Sequence, residues 1–233
     1  MGAIYLIRHG QASFGASNYD QLSELGHQQA RVLGEALLPR IARVDAAVTG
    51  TLQRHQATAS SCLEAMGLRL APQIHAGFNE FDHEEVIACA EPRYADRLVM
   101  MADMAASGNP RRAFQQFFEQ AVRRWMSGAH DADYRETWSA FKLRCQAALD
   151  DVIQQAQQHP SSGTTLVFTS GGFIAMACQR LLGIPDEHAF TLNWTLVNGG
   201  VTKLVVGSQG PRLVSVNEHA HFEGHHASLL TYR

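Results

Sequence analysis

The chain has 233 residues, 45% hydrophobic and 18% charged, which suits a folded core of some size and excludes a disordered chain. The formal net charge is −3 with no long Lys/Arg run, so nucleic acid is not an expected partner, since its binding surface would be strongly basic. No apolar run approaches the length of a membrane span, and the first residues lack the pattern of a signal peptide. The expected setting is therefore cytoplasmic, with no membrane partner.

Ala3 to Ile7 is an apolar run of β-branched and aromatic residues, and it reads as a buried strand. Arg8-His9-Gly10 closes it, so this polar triplet falls at the strand's carboxyl end, where open α/β sheets place their ligands. There a neutral imidazole nitrogen can attack phosphorus while the neighbouring guanidinium holds phosphoryl oxygens. The plainer alternative is a polar turn. Gln11 to Gln21 comes next as a polar, Gly-containing loop placed to line a site. Ser23 can cap a helix running to about Leu38, with Pro39 just past its end. A second strand at about Asp45 to Val48 leads to Thr49-Gly50-Thr51 and a second helix, in which Leu52, Ala59, Leu63 and Met66 recur at helical spacing. Arg54 falls in the first turn of that helix, where unpaired N–H groups and the dipole favour anions, although alone it would read as an exposed helix charge.

Gly67 is expected to end the second helix, with a short strand from Leu70 to Ile74 and then an acidic loop, Phe78-Asn79-Glu80-Phe81-Asp82-His83-Glu84-Glu85. From about Pro92 to Gln158 the pattern is almost all helical. Asn109-Pro110 opens one helix with an aromatic stripe best read as core packing, and another begins near Tyr134 with Trp138, Phe141, Cys145, Leu149, Val152 and Ile153 inward. Thr164 to Thr169 is a buried strand followed by Ser170-Gly171-Gly172 and an apolar helix to about Leu182. Three runs then read as strands: Phe190 to Thr195, Gly200 to Val206 and Arg212 to Val216, the last two joined by a turn over Gly207 to Pro211. Four cysteines, Cys62, Cys89, Cys145 and Cys178, stand far apart and read as reduced thiols.

Leu6-Ile7-Arg8-His9-Gly10 and Thr51-Leu52-Gln53-Arg54-His55-Gln56-Ala57-Thr58-Ala59 together resemble the histidine phosphatase superfamily, which includes the phosphoglycerate mutases. The resemblance implies an α/β three-layer sandwich with a mixed, mainly parallel sheet, phosphoglycerate mutase-like. Residues 1–233 would then form one domain with a helical cap inserted at about 85–158. It implies His9 as nucleophile and Glu80 as the acid that protonates the leaving oxygen, with Arg8, Ser13, Arg54, Ser170 and Gly171 binding phosphate or substrate. Asp82, Glu84 and Glu85, if near Glu80, would help keep it protonated. The chain departs from the family at Ser170, where a second His usually precedes Gly, and at Gly15, where Asn is common. It also lacks the family's usual sequence after Glu80. His219 or His221 of the tail could stand in for that second His.

No cofactor and no metal are implied. The His-rich tail, His219 to His226, fits no zinc spacing. The expected partner is a small phosphorylated substrate, and an edge strand leaves room for a homodimer. The expected activity is that of a metal-independent phosphohydrolase working on a phosphate monoester through a phosphohistidine; the first alternative is a weak or inactive phospho-ligand-binding regulatory module, and the less favoured one a phosphoglycerate-type mutase. The Ser170 hydroxyl still donates one hydrogen bond but brings no charge, so a weakened or differently tuned site is expected there.

Overall fold

The computed structural model describes residues 2–13, 20–158 and 163–232. Its strands are β1 (Gly2–Arg8), β2 (Ala46–Thr49), β3 (Gln73–Ile74), β4 (Thr164–Thr169), β5 (Val201–Gly207) and β6 (Gly210–Glu218). They form one mixed sheet in the order β3-β2-β4-β1-β5-β6. The β3–β2, β2–β4 and β4–β1 pairs are parallel, whereas β1–β5 and β5–β6 are antiparallel. The helices are α1 (Glu24–Leu37), α2 (Gln53–Ala65), α3 (His83–Ala90), α4 (Arg97–Ala106), α5 (Pro110–Met126), α6 (Trp138–Gln158), α7 (Gly171–Leu182) and α8 (Asp186–Thr195). The sheet is mostly parallel and flanked by helices, as expected for this class of α/β fold.

The central strands β1 and β4 are largely buried and carry apolar cores, Ile4 to Ile7 and Leu166 to Phe168, as strands covered on both faces do. Tyr5, Ile7, Leu166 and Phe168 pack with Leu33 and Leu37 of α1 and with Ala59 and Leu63 of α2. Alternation sends Ile4, Leu6 and Val167 to the opposite face, and α7 contacts β1 and β6.

Two compact units can be told apart: Met1–Glu80 with Cys145–Arg233, which holds the sheet, and Phe81–Arg144, which is helical. The core of the helical unit is aromatic. Trp125 meets Phe81, Trp138 and Phe141 at ring-centroid distances of 4.9, 5.1 and 5.6 Å.

Several elements differ from the sequence-based expectation. Phe190 to Thr195 is not a strand but the second half of α8: Pro185 precedes the helix, and Asp186 and Glu187 place negative charge in its first turn. Burial of Ala189 and Phe190 overrides the strand preference of the Phe-Thr-Leu composition. The strand expected over 70–74 shrinks to Gln73–Ile74, since Pro72 has no N–H for the ladder. Helix α3 begins inside the segment read as an acidic loop, because Asp82 accepts from Glu85 N and caps it. The helix expected from Tyr134 starts at Trp138, Tyr134 itself being extended. Of the loop from Gln11 to Gln21, residues 14–19, with Phe14 and Gly15, lie outside the described residues. Cys62, Cys145 and Cys178 are buried free thiols and Cys89 is a half-buried one.

Candidate active site

Three parallel strands end side by side. Arg8 of β1 lies opposite Thr169 of β4, and Thr49 of β2 lies opposite Phe168. The residues just past each strand are therefore delivered to one mouth at the carboxyl end of the sheet. His9 comes first: its N–H donates to Thr169 O at 2.9 Å and its carbonyl accepts from Asn198 Nδ2 at 3.1 Å, which fixes its backbone.

The His9 ring is almost fully buried, 7% exposed. Its Nδ1 lies 2.7 Å from Gly10 O. A carbonyl can only accept, so Nδ1 carries the hydrogen and the neutral ring keeps its lone pair on Nε2. Burial holds the ring's pKa well below the ordinary His value, and the nearby Arg54, His55 and Arg8 add to this, against an opposing pull from the Gly10 carbonyl. A neutral nucleophilic nitrogen among cationic groups is what an attack on an anionic phosphoryl group needs.

The second strand delivers α2. Arg54 is buried in its first turn, and Nη1 donates to Asp20 Oδ1 at 2.9 Å. The other Asp20 oxygen accepts from Gln53 N at 2.8 Å, so one carboxylate serves both the guanidinium and the open helix end. Arg54 is further tied to the His9 segment through Thr58, whose hydroxyl donates to Arg54 O and accepts from Gly10 N. His55, next along, is fully buried. Its Nε2 is 2.6 Å from Ser170 Oγ, and its ring centroid is 5.6 Å from that of His9. Sequence reasoning gave His55 no role. The available signal was its place directly after Arg54.

The third strand delivers Ser170 and the start of α7. Glu80 reaches this point from its own loop, its Oε2 accepting from Gly172 N at 3.0 Å. A Cβ on Gly172 would overlap Glu80 Oε1, so only glycine lets the carboxylate approach this closely. Asn79 anchors the same loop to Thr51 through two hydrogen bonds, at 2.7 and 2.8 Å. Asp82 and Glu85, expected as like-charge neighbours of Glu80, both engage Arg135, at 2.7 and 2.8 Å.

Arg8, beside His9, donates to Leu196 O and, at 3.4 Å, to Tyr232 O, with its Nε near Gly171. The structure thus gathers His9, Arg8, Arg54, Ser170 and Gly171 around the strand ends, with Glu80 at the start of α7. Ser13 is half-buried, and its N–H donates to Gln21 O at 2.8 Å. The tail histidines are engaged otherwise: His219 Nδ1 lies on Asn217 O and His221 Nε2 is 3.1 Å from Gly199 O. Among the described residues, the imidazole that stands next to His9 is His55.

The chain matches the family model described as histidine phosphatase superfamily (branch 1) over residues 4–91 and 88–219. The 2,3-bisphosphoglycerate-dependent phosphoglycerate mutase of a Chelativorans species is 34% identical over 92 residues, which is 36% of this chain and 45% of that protein. The chain spans less than half the length of the curated relatives it matches. Among solved structures, a phosphoglycerate mutase from Bacillus anthracis superposes with a TM-score of 0.65 at 20% identity, over 94% of each chain. A protein from Escherichia coli described as a putative alpha-ribazole-5'-P phosphatase gives the same TM-score and identity, over 93% of this chain and 96% of its own. At such identity the two structural likenesses speak for the fold alone.

Proposed function

Because the chain belongs to the histidine phosphatase superfamily, we propose that it is a metal-independent phosphohydrolase that cleaves a phosphate monoester through a phosphohistidine at His9. The observation that carries this reading is the His9 ring itself: neutral by burial, with Nδ1–H on Gly10 O and the Nε2 lone pair available. Nε2 attacks phosphorus as the bond to the leaving oxygen breaks, and the proton of the Glu80 carboxyl passes to that oxygen. The phosphorylated ring is cationic, and the Gly10 carbonyl that accepts from Nδ1–H stabilises it. Water then attacks phosphorus, gives its proton to the Glu80 carboxylate, and releases phosphate and the neutral ring.

Arg54, Arg8, the Ser170 hydroxyl and the Gly171 N–H bind the transferred group, the two guanidinium forks taking up charge that develops on its oxygens. The partial match to the phosphoglycerate mutases favours a second reading, in which the phosphoryl group passes to another hydroxyl instead of water. The test is incubation with p-nitrophenyl phosphate and a panel of phosphorylated metabolites, with chelator present. Phosphate release that His9→Ala abolishes supports the hydrolase. Isomerisation without phosphate release would replace it with the mutase, and binding without turnover with a regulatory module.

A further inference from the structure

Ser170 occupies the residue before α7, where a serine ordinarily caps the helix by accepting from a free N–H of the first turn. Here its side chain caps nothing. The Gly172 N–H that it could serve is held by Glu80 instead. The hydroxyl turns to His55 Nε2 at 2.6 Å, and both residues are fully buried. A serine diverted from its local use toward a buried imidazole from another helix is a built arrangement, and it lies one residue past the Thr169 carbonyl that holds the His9 backbone.

The direction of that hydrogen bond follows from the other ring nitrogen. His55 Nδ1 is buried with no hydrogen-bond partner among the described residues. It faces Gly50, where an added Cβ would overlap it. Burial, helped by Arg54, keeps the ring neutral, so it has a single N–H. An N–H left without an acceptor in the interior is rarer and costlier than an unused lone pair. The hydrogen therefore sits on Nε2 and is donated to Ser170 Oγ, and the serine's own hydrogen is left for another acceptor.

We propose that His55 is a positioning residue: it occupies the acceptor side of Ser170 and so commits that hydroxyl to donate to the phosphoryl group bound against His9. This rests on the phosphoryl-binding reading above and extends it to a residue that touches the ligand only through Ser170. A group made to donate in advance costs no reorganisation when charge develops on the oxygen it faces.

The imidazole nitrogen shifts of the wild-type protein, measured by NMR, give the first test. His55 is expected as the Nε2–H tautomer, and the Nδ1–H tautomer would overturn the proposal. The second test measures inorganic phosphate binding by calorimetry and p-nitrophenyl phosphate turnover for His55→Phe, Ser170→Ala and the double variant. Each single change is expected to lower phosphate affinity and kcat/KM by about 10- to 100-fold, and the double change to do no more than either single one. His55→Gln, whose amide can put an N–H near the place of Nε2, should recover part of the loss. Additive losses, or a His55→Phe effect confined to thermal stability, would overturn the proposal, as would a wild-type protein that binds no phosphate. Turnover that survives His9→Ala sinks the phosphohistidine reading, and the binding series still decides the role of His55.

Discussion

The helices divide by how their first turns are satisfied. Helices α1, α3, α4 and α5 cap themselves: Ser23, Asp82, Asp96 and Asn109 each accept a backbone N–H of the helix they precede. The two helices that open onto His9 do not. Leu52 has no capping group for α2, and Ser170 leaves α7 uncapped. Both borrow a carboxylate from elsewhere in the chain: Asp20 accepts from Gln53 N, and Glu80 accepts from Gly172 N. Helix α8, which comes after Pro185, also lacks a side-chain cap. A self-capped helix is finished locally, whereas a helix that borrows its cap ties a distant loop to its first turn. At this mouth the loops so tied carry the reactive and charged side chains.

The sharpest way to break this comparison is to change the borrowed carboxylate while leaving its capping bond. Glu80→Gln keeps an oxygen that can accept from Gly172 N but removes the transferable proton. We expect kcat to fall by about 10²–10⁴ on an alkyl phosphate. On p-nitrophenyl phosphate, whose leaving group needs little protonation, the loss should be much smaller. Equal losses on both substrates would mean that Glu80 supports the helix start and nothing more. Arg54→Leu comes next, with an expected loss of about 10²–10³ in kcat/KM and a weaker affinity for phosphate in binding experiments. Gly172→Ala touches no reacting group, yet its methyl must displace the Glu80 carboxylate. A misplacement of about 1 Å can cost up to about 10²-fold in kcat, and steady-state kinetics beside an unchanged circular dichroism spectrum would show it.

The same contrast explains what the sequence disclosed. Arg8 and His9 could be placed at a strand end because the strand, its end and the polar residues that close it are contiguous, whereas Arg54, which alone reads as an exposed helix charge, was singled out by the motif resemblance. Ser23, Asp82 and Asn109 act within their own helices, and Ser23 and Asn109 were readable as helix starts for that reason. Asp20 acts 34 residues away and Glu80 acts 92 residues away. Nothing in the local pattern announces such a reach, and the resemblance alone pointed to Glu80. His55 was given no role because its partner Ser170 lies 115 residues away in the chain, and nothing in the local pattern joins the two. The α8 segment was misread for the opposite reason: its local composition favours a strand, and tertiary burial of Ala189 and Phe190 decided otherwise.

Acid should weaken the fold through its buried histidines. Burial holds the pKa values of His9 and His55 well below the ordinary value and brings that of His221 down to about 4. Below about pH 6.5 the unfolded chain binds protons that the folded chain refuses, so stability falls as pH falls. For His221 the loss runs from about pH 6.5 to about 4 and then levels off. Each such histidine contributes a slope of about 1.4 kcal/mol per pH unit within its window. Tm measured between pH 7 and pH 4 should decline, and less steeply in His221→Gln. A variant that declines as steeply as the wild type would show that His221 is not held neutral.

The smallest effect is expected where the cap is local. Asp96 accepts from Leu98 N at 2.8 Å and serves only the start of α4. Asp96→Ala should cost about 0.5–2 kcal/mol, read as faster amide hydrogen exchange across Arg97–Ala106. Turnover should stay within about twofold of the wild type. Asp20→Ala removes a carboxylate that caps α2 and also fixes Arg54, so the same loss of one cap should there change KM and phosphate affinity as well. If the two variants lose only stability, and to a similar degree, then borrowing a cap has no bearing on the site. If Asp20→Ala alone moves the kinetics, the borrowed carboxylate is part of how Arg54 is held ready for an anion.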